Sequence, residues 1–242
     1  MVRNNKYSKS TALFLGAGYC AQEMYAPLLD QGYKVYVTTR TKKRHSLLKK
    51  CGVIPLIFNG AINSKLYNII GDACIILSSM APVNGIDPFL NKLPIDQKKL
   101  MQSTQWVGYL SSTSVYGNKN GQWVFEDELL YPSTTRGKER LNAEIQWLEI
   151  GAPVHIFRLA GIYGPGRNNF QKIKQNKAQN IIKEDHVTNR VHVGDVANAI
   201  LTSIANPDPY RIYNVSDGNP APPQDVINFS AHLLGISTPP LI

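Results

Sequence analysis

Residues 11 to 40 read TALFLGAGYCAQEMYAPLLDQGYKVYVTTR, and the order of their parts decides the fold. A short apolar run over residues 11–15 predicts a buried strand. Three small residues follow it, Gly16, Ala17 and Gly18, and then an amphipathic stretch that predicts a helix to about Gln31. Gly32 ends that helix, and the β-branched run at residues 35–38 begins a second strand. Residues 11 to 39 thus make a βαβ unit of the expected length.

GAGYCA at residues 16–21 is a GxGxxA pattern, and its physical logic is access to a phosphate. Gly16 permits the sharp turn, Gly18 lets bare backbone approach a diphosphate, and Ala21 lets the helix pack close to the strand. The helix opening at Tyr19 and Cys20 adds unpaired N–H groups and the positive end of a dipole. Placed between a buried strand and a helix, these residues predict a dinucleotide site.

The end of the second strand selects the dinucleotide. An NAD site places Asp or Glu there for the ribose 2′-hydroxyl. This chain has Thr39 and Arg40, followed by Lys42, Lys43 and Arg44, with nothing acidic nearby. A hydroxyl and a guanidinium suit the extra 2′-phosphate of NADP, so NADP is the expected cofactor in preference to NAD. Lys43, Lys49 and Lys50 read equally well as a solvated basic helix.

The chain has 242 residues, 43% of them hydrophobic, which suits one sizeable α/β domain with an appended lobe. Its cysteines, Cys20, Cys51 and Cys74, are scattered in apolar contexts without a CxxC or a His at ligand spacing, and read as reduced core thiols of a cytoplasmic protein. No metal site is expected. The apolar run after the polar, basic start is only a strand's length, and no stretch reaches membrane-spanning length, so neither a signal peptide nor a membrane partner is expected. The net charge of +9 is spread along the chain rather than interleaved with aromatics, which argues against nucleic acid.

Further strands are expected at residues 53–58, with Pro55 marking an edge, and at 73–77, whose carboxyl end offers Ser78 and Ser79 to a ligand. Residues 81–88 read as a loop, 64–70 and 96–103 as helices, and 106–110 as the next strand. A helix runs from Arg136 to about Ile150, residues 154–159 and 210–215 are strands, and 190–193 is a short strand. Residues 161–167 read as a Gly/Pro loop, 168–189 as a helix and loops, and 225–234 as a helix; Asp195 caps the helix before the last strand. Strands alternating with helices, without an internal repeat, predict a doubly wound parallel sheet.

GAGYCA, YLSSTSVYG, RLAGIYGPGR and RVHVGDVANAI together resemble the extended or atypical short-chain dehydrogenase/reductase superfamily. More narrowly, the chain resembles the NAD(P)-dependent epimerase/dehydratase-like group typified by the YeeZ-like proteins. The resemblance implies an NAD(P)-binding Rossmann domain over residues 11–165, also using 190–215. A basic tail, residues 1–10, precedes it, and residues 166–189 and 216–242 form a small, abbreviated substrate lobe.

In that superfamily a Ser or Thr at the end of the middle strand holds the substrate oxygen, a Tyr transfers the proton, and a Lys four residues later binds ribose. By resemblance the hydroxyl falls on Ser112, with Thr113 beside it. Anchored on Glu144, the motif puts Arg136 where the Tyr belongs and Arg140 where the Lys belongs. Arg140 can still serve a ribose; Arg136 cannot replace a phenol, because a guanidinium does not release a proton near neutral pH. The i, i+4 spacing also allows Arg136, Arg140 and Glu144 to be a surface ion-pair row. Tyr116, Arg136, Tyr163, Arg167 and Arg190 are the residues expected to meet substrate. His155 and His192 lie in apolar strands and read as satisfied strand residues.

Two functions remain open. One is an oxidoreductase or epimerase/dehydratase-like enzyme for a small polar substrate, nucleotide-linked or phosphorylated. The other is a non-catalytic NADP-binding sensor or scaffold that has lost the Tyr-Lys pair. A homodimer is compatible with either.

Overall fold

Alternating side chains along the strands decide where the helices sit. In β1 (Thr11–Leu15) Ala12 and Phe14 join one buried cluster, Leu13 and Leu15 another, and all four are buried. A strand buried on both faces needs a helical layer on each side. In the computed structural model, which describes residues 10–94, 99–180, 182 and 186–240, it has them.

The other strands are β2 (Lys34–Thr39), β3 (Ile54–Ile57), β4 (Ile75–Ser78), β5 (Trp106–Ser112), β6 (Val154–Leu159), β7 (Gly161–Tyr163), β8 (Arg190–His192) and β9 (Ile212–Val215). The main sheet has the order β3-β2-β1-β4-β5-β6-β9, and every pairing in it is parallel. This is the doubly wound Rossmann arrangement with a seventh strand added. The order reverses between β1 and β4, and the carboxyl ends of the strands at such a point are where open parallel sheets bind ligands.

The helices are α1 (Tyr19–Gln22), α2 (Tyr25–Asp30), α3 (His45–Lys50), α4 (Ser64–Asp72), α5 (Thr135–Leu148), α6 (Asn169–Lys174), α7 (Val193–Ala205) and α8 (Pro223–Leu233). Leu28, Leu48, Val196 and Ile200 bring α2, α3 and α7 into the Phe14 cluster. Leu66, Ile70, Ala143 and Trp147 bring α4 and α5 into the Leu13 cluster on the other face. Gly108 lets the indole of Trp106 lie along β5, since a Cβ there would sit 2.1 Å from the ring. That indole donates to Ser203 at 3.0 Å and stacks on His155 at 5.3 Å.

Several local expectations are corrected. The first helix is two pieces, because Pro27 has no N–H to offer the carbonyl of Glu23; the chain turns at Glu23 and Met24 and restarts. The helix before β9 begins at Val193. His192 caps it by accepting the Gly194 N–H at 3.2 Å, and Asp195 sits in its first turn. Residues 161–163 are a strand rather than loop, paired with β8 in a separate two-stranded sheet. Cys20 and Cys74 are buried, but Cys51, at the end of α3, is exposed.

Pro55 does lie on an edge strand. Of the stretch expected as a helix at 96–103, Lys99–Ser103 is a 3-10 helix and residues 96–98 lie outside the described residues. Residues 1–9 of the tail, together with 181, 183–185, 241 and 242 of the lobe, also lie outside them. In the lobe Ile173 of α6 packs on Ile227 and Ala231 of α8. Among the described residues no helix is long and apolar enough to cross a membrane.

Candidate functional site

The turn after β1 is braced from three directions. Gly16 has φ +98°, a conformation that favours glycine, and its N–H donates to Thr38 Oγ1 at 2.8 Å. The Ser79 hydroxyl reaches the carbonyls of Leu15 and Gly16 at 3.3 and 3.2 Å, and a Cβ on Gly16 or Gly18 would come 2.9 or 3.2 Å from its Oγ. Arg44 Nη1 donates to the carbonyl of Ala17 at 2.9 Å. Among the described residues the amides of Ala17, Gly18 and Tyr19 meet no protein acceptor.

Successive unpaired amides in a tight turn make an anion-binding concavity. Because α1 is only four residues long, that concavity, and not a long helix dipole, would hold the diphosphate of a dinucleotide. The residues present therefore fit a dinucleotide. Cys20 is buried under the turn, and burial pushes its thiol up to about 11 against a weaker opposing effect of Arg167, so it packs as a neutral group.

At the end of β2, Thr39 is half-buried, and among the described residues its Oγ1 reaches the carbonyl of Thr41 at 3.4 Å. Arg40 is exposed, and among the described residues no carboxylate pairs with it. Thr38 and Arg44 brace the turn although the motif does not include them. Neither has a local sequence signal: Thr38 reaches the turn because β1 and β2 align with Phe14 opposite Val37, one residue before it.

Ser78 ends β4 fully buried, with its hydroxyl unpartnered among the described residues. Ser112 ends β5 half-buried and accepts the Ser114 N–H at 3.2 Å; Thr113 is half-buried beside it. Arg140 reaches across from α5, with Nη1 donating to Leu110 O at 2.9 Å, the Tyr109 hydroxyl at 3.1 Å and Met80 O at 3.4 Å. Its guanidinium lies 5.7 Å from the Tyr109 ring centroid. Burial raises the Tyr109 phenol far above its usual range against the opposing pull of Arg140, which makes it a poor proton donor. Arg136 is exposed on α5.

The surface ion-pair row does not form, because Glu144 faces inward. Its carboxylate accepts from the Ser111 hydroxyl and pairs with Arg158 at 2.9 Å, the two side chains being 2% and 3% exposed. Arg158 Nη1 donates to the Tyr116 hydroxyl at 2.8 Å and to Glu126 O at 3.1 Å. The Tyr116 hydroxyl donates to Asn214 Oδ1 at 2.7 Å, and Glu126 Oε1 accepts the Asn214 N–H at 2.8 Å. Burial alone would lower the Arg158 pKa, but its bonds to Glu144 and Tyr116 outweigh that and raise it. The network ties β5, β6, β9 and α5 together beneath Ser112 and leaves Tyr116 buried, its hydroxyl already engaged. A lone arginine inside the apolar strand VHIFRL was the available signal, since a buried charge requires a partner.

Tyr163, Arg167 and Arg190 come from the small sheet and the turn after it. Tyr163 is exposed and meets His192 edge-on, with ring centroids 5.3 Å apart. Arg190 is directed toward the last segment, donating to Asn219 O at 2.8 Å and lying 3.8 Å from Asp217. Arg167 lies over the Tyr19 ring at 5.8 Å from its centroid. The structure thus joins Arg167 to the Tyr19 side chain, next to the Gly16–Gly18 turn in sequence, and separately joins Arg140 to Leu110 of β5 and to Met80 just past β4.

No family model matches the chain. Protein YeeZ of Escherichia coli K12 is 36% identical over 135 residues, covering 54% of this chain and 47% of that protein. The matched stretch thus spans about half the length of that curated relative. A functionally unknown conserved protein from Silicibacter pomeroyi has a solved structure with TM-score 0.90 and 40% identity, covering 96% of this chain and 81% of the other. A putative NAD-dependent epimerase/dehydratase from Methylobacillus flagellatus has TM-score 0.68 and 26% identity, covering 97% and 87%.

Proposed function

This chain belongs to the extended or atypical short-chain dehydrogenase/reductase superfamily, in its NAD-dependent epimerase/dehydratase-like, YeeZ-like branch, and on that premise we propose that it is a cytoplasmic NADP-binding enzyme. Its substrate is a small polar molecule, nucleotide-linked or phosphorylated. The observation that carries the reading is the run of unpaired amides at Ala17, Gly18 and Tyr19, opening at the point where the strand order reverses.

Gly18 gives the diphosphate close access to backbone, and Arg40 with Thr39 receives the 2′-phosphate. Nicotinamide supplies a hydride acceptor or donor. Ser112 and Thr113, at the carboxyl end of β5, orient the substrate oxygen. Arg140 holds the ends of β4 and β5 at a fixed separation through its three bonds, and its charge favours a ribose or phosphate nearby.

A second reading follows from the Tyr-Lys positions: Arg136 is exposed and cannot shuttle a proton near neutral pH, while Arg140 is engaged by Met80, Tyr109 and Leu110. A chain of that kind can bind the dinucleotide without turning it over, as a redox sensor or scaffold. NADPH oxidation assayed across carbonyl compounds and sugar nucleotides separates the two. Substrate-dependent oxidation that disappears in Ser112→Ala supports the enzyme. Tight NADPH binding with no oxidation across the panel supports the sensor.

A further inference from the structure

The turn that follows β7 does not stand apart from the dinucleotide turn. Gly164 and Arg167 close it with reciprocal backbone bonds of 3.0 Å, and Asn168 Nδ2 donates to the Gly164 carbonyl at 3.1 Å. It is fastened to the first helix across 146 residues of sequence by the Tyr19 hydroxyl, which donates to Pro165 O at 2.9 Å. The fit is close: Gly164 has φ +155°, and a Cβ there would lie 2.6 Å from the Tyr19 hydroxyl and 2.8 Å from Val193 Cγ1.

Arg167, the last residue of this turn, places its guanidinium 5.8 Å from the Tyr19 ring centroid. It is exposed, and among the described residues no carboxylate pairs with it. The same Tyr19 carries one of the three unpaired amides. A guanidinium is therefore held, by an element far away in sequence, over the side chain of a residue whose amide lines the anion-binding concavity, with Glu23 the nearby carboxylate that also acts on Tyr19. Arg44 is held there too, through Ala17 O.

We propose that residues 164–167 are a strap over the dinucleotide and not part of the substrate-binding surface, with Arg167 as a diphosphate ligand and the Tyr19–Pro165 hydrogen bond as its fastening. The inference rests on the dinucleotide reading above. With the diphosphate seated against the amides of residues 17–19, Arg167 closes the exposed side with a charged hydrogen bond. Release then requires the strap to lift, which breaks the Tyr19 bond and separates the guanidinium from the phosphates. The dinucleotide leaves slowly and behaves as a resident cofactor. Arg167 sets retention, whereas Arg40 sets the choice between NADP and NAD.

The test is a chase experiment. Protein loaded with NADPH is mixed with a large excess of NADP, and the loss of bound nicotinamide fluorescence gives the dissociation rate at several salt concentrations. Tyr19→Phe keeps the ring and removes the fastening, so dissociation should accelerate by about 3- to 10-fold, the range for one neutral hydrogen bond. Arg167→Gln should accelerate it by about tenfold or more and flatten its salt dependence. A rate within twofold of the unmodified protein in either variant, with NADPH still bound, overturns the role given to that residue. Failure of the unmodified protein to bind NADPH or NADH at all overturns the dinucleotide reading and the strap with it, an outcome distinct from binding with unchanged rates.

Discussion

Glu144→Gln is the most demanding perturbation of the interior. The carboxylate takes Arg158 Nη2 at 2.9 Å and Nε at 3.3 Å to each oxygen, and it also accepts from Ser111. A glutamine keeps the shape but turns an NH2 group toward a guanidinium that has only donors, and leaves that charge uncompensated in the interior. Breaking a buried pair by neutralising one member costs about 3–5 kcal/mol. At this chain length each kcal/mol lowers Tm by roughly 2–4 °C, so a fall of about 6–20 °C is expected.

Thermal unfolding of Glu144→Gln, Arg158→Met and the Glu144→Leu/Arg158→Met double variant would measure it. The double variant removes both charges and should recover much of the loss, because neither partner is then stranded. Single variants that melt within about 2 °C of the parent, under 1 kcal/mol at this size, would refute the reasoning. The same change should also disturb the site, since Ser111 directly precedes Ser112 at the end of β5.

Other consequences follow from the same packing. Gly108→Ala should destabilise by roughly 1–3 kcal/mol in a denaturant titration, because its Cβ would sit 2.1 Å from the Trp106 ring and 2.9 Å from Leu77; unchanged stability would contradict the contact. Arg40→Asp should weaken NADPH binding by about tenfold or more through the loss of one charged hydrogen bond of ~1.5–3 kcal/mol, and an unchanged affinity removes Arg40 from the site. His155 is buried, with Nδ1 3.2 Å from Val107 O and Nε2 accepting the Asp208 N–H at 3.1 Å, an arrangement that suits the neutral ring. Burial lowers its pKa below 6.5 despite its backbone bonds, so its contribution to stability is complete above about pH 6.5 and is lost as pH falls through the lowered value. An NMR titration giving a pKa at or above 6.5 for this ring would contradict that sign.

The β1 stretch made the sheet legible because its signals are local: an apolar run, three small residues, and a second run beginning about twenty residues on. Pro55 placed β3 at the edge for the same kind of reason, a missing donor. The fragmentation of the first helix was visible in principle at Pro27, but the amphipathic pattern continues through the break and hides it. The site was less legible. Gly16, Gly18 and Tyr19 are found from their spacing, whereas Arg44 and Thr38 depend on how β2 and α3 lie beside the turn. Glu144 fits a helical ion-pair row by spacing alone; its inward direction depends on Arg158, fourteen residues away on another element. The Tyr19–Pro165 fastening spans most of the chain and has no local signature.

The measurement that tests the central claim most directly is a paired titration of the nucleotide-free protein with NADPH and NADH, followed by nicotinamide fluorescence. Saturable binding of NADPH, tighter than that of NADH, is the predicted result. Binding of neither would mean that the amides of Ala17, Gly18 and Tyr19 do not receive a diphosphate, and would contradict the dinucleotide assignment while leaving the fold intact.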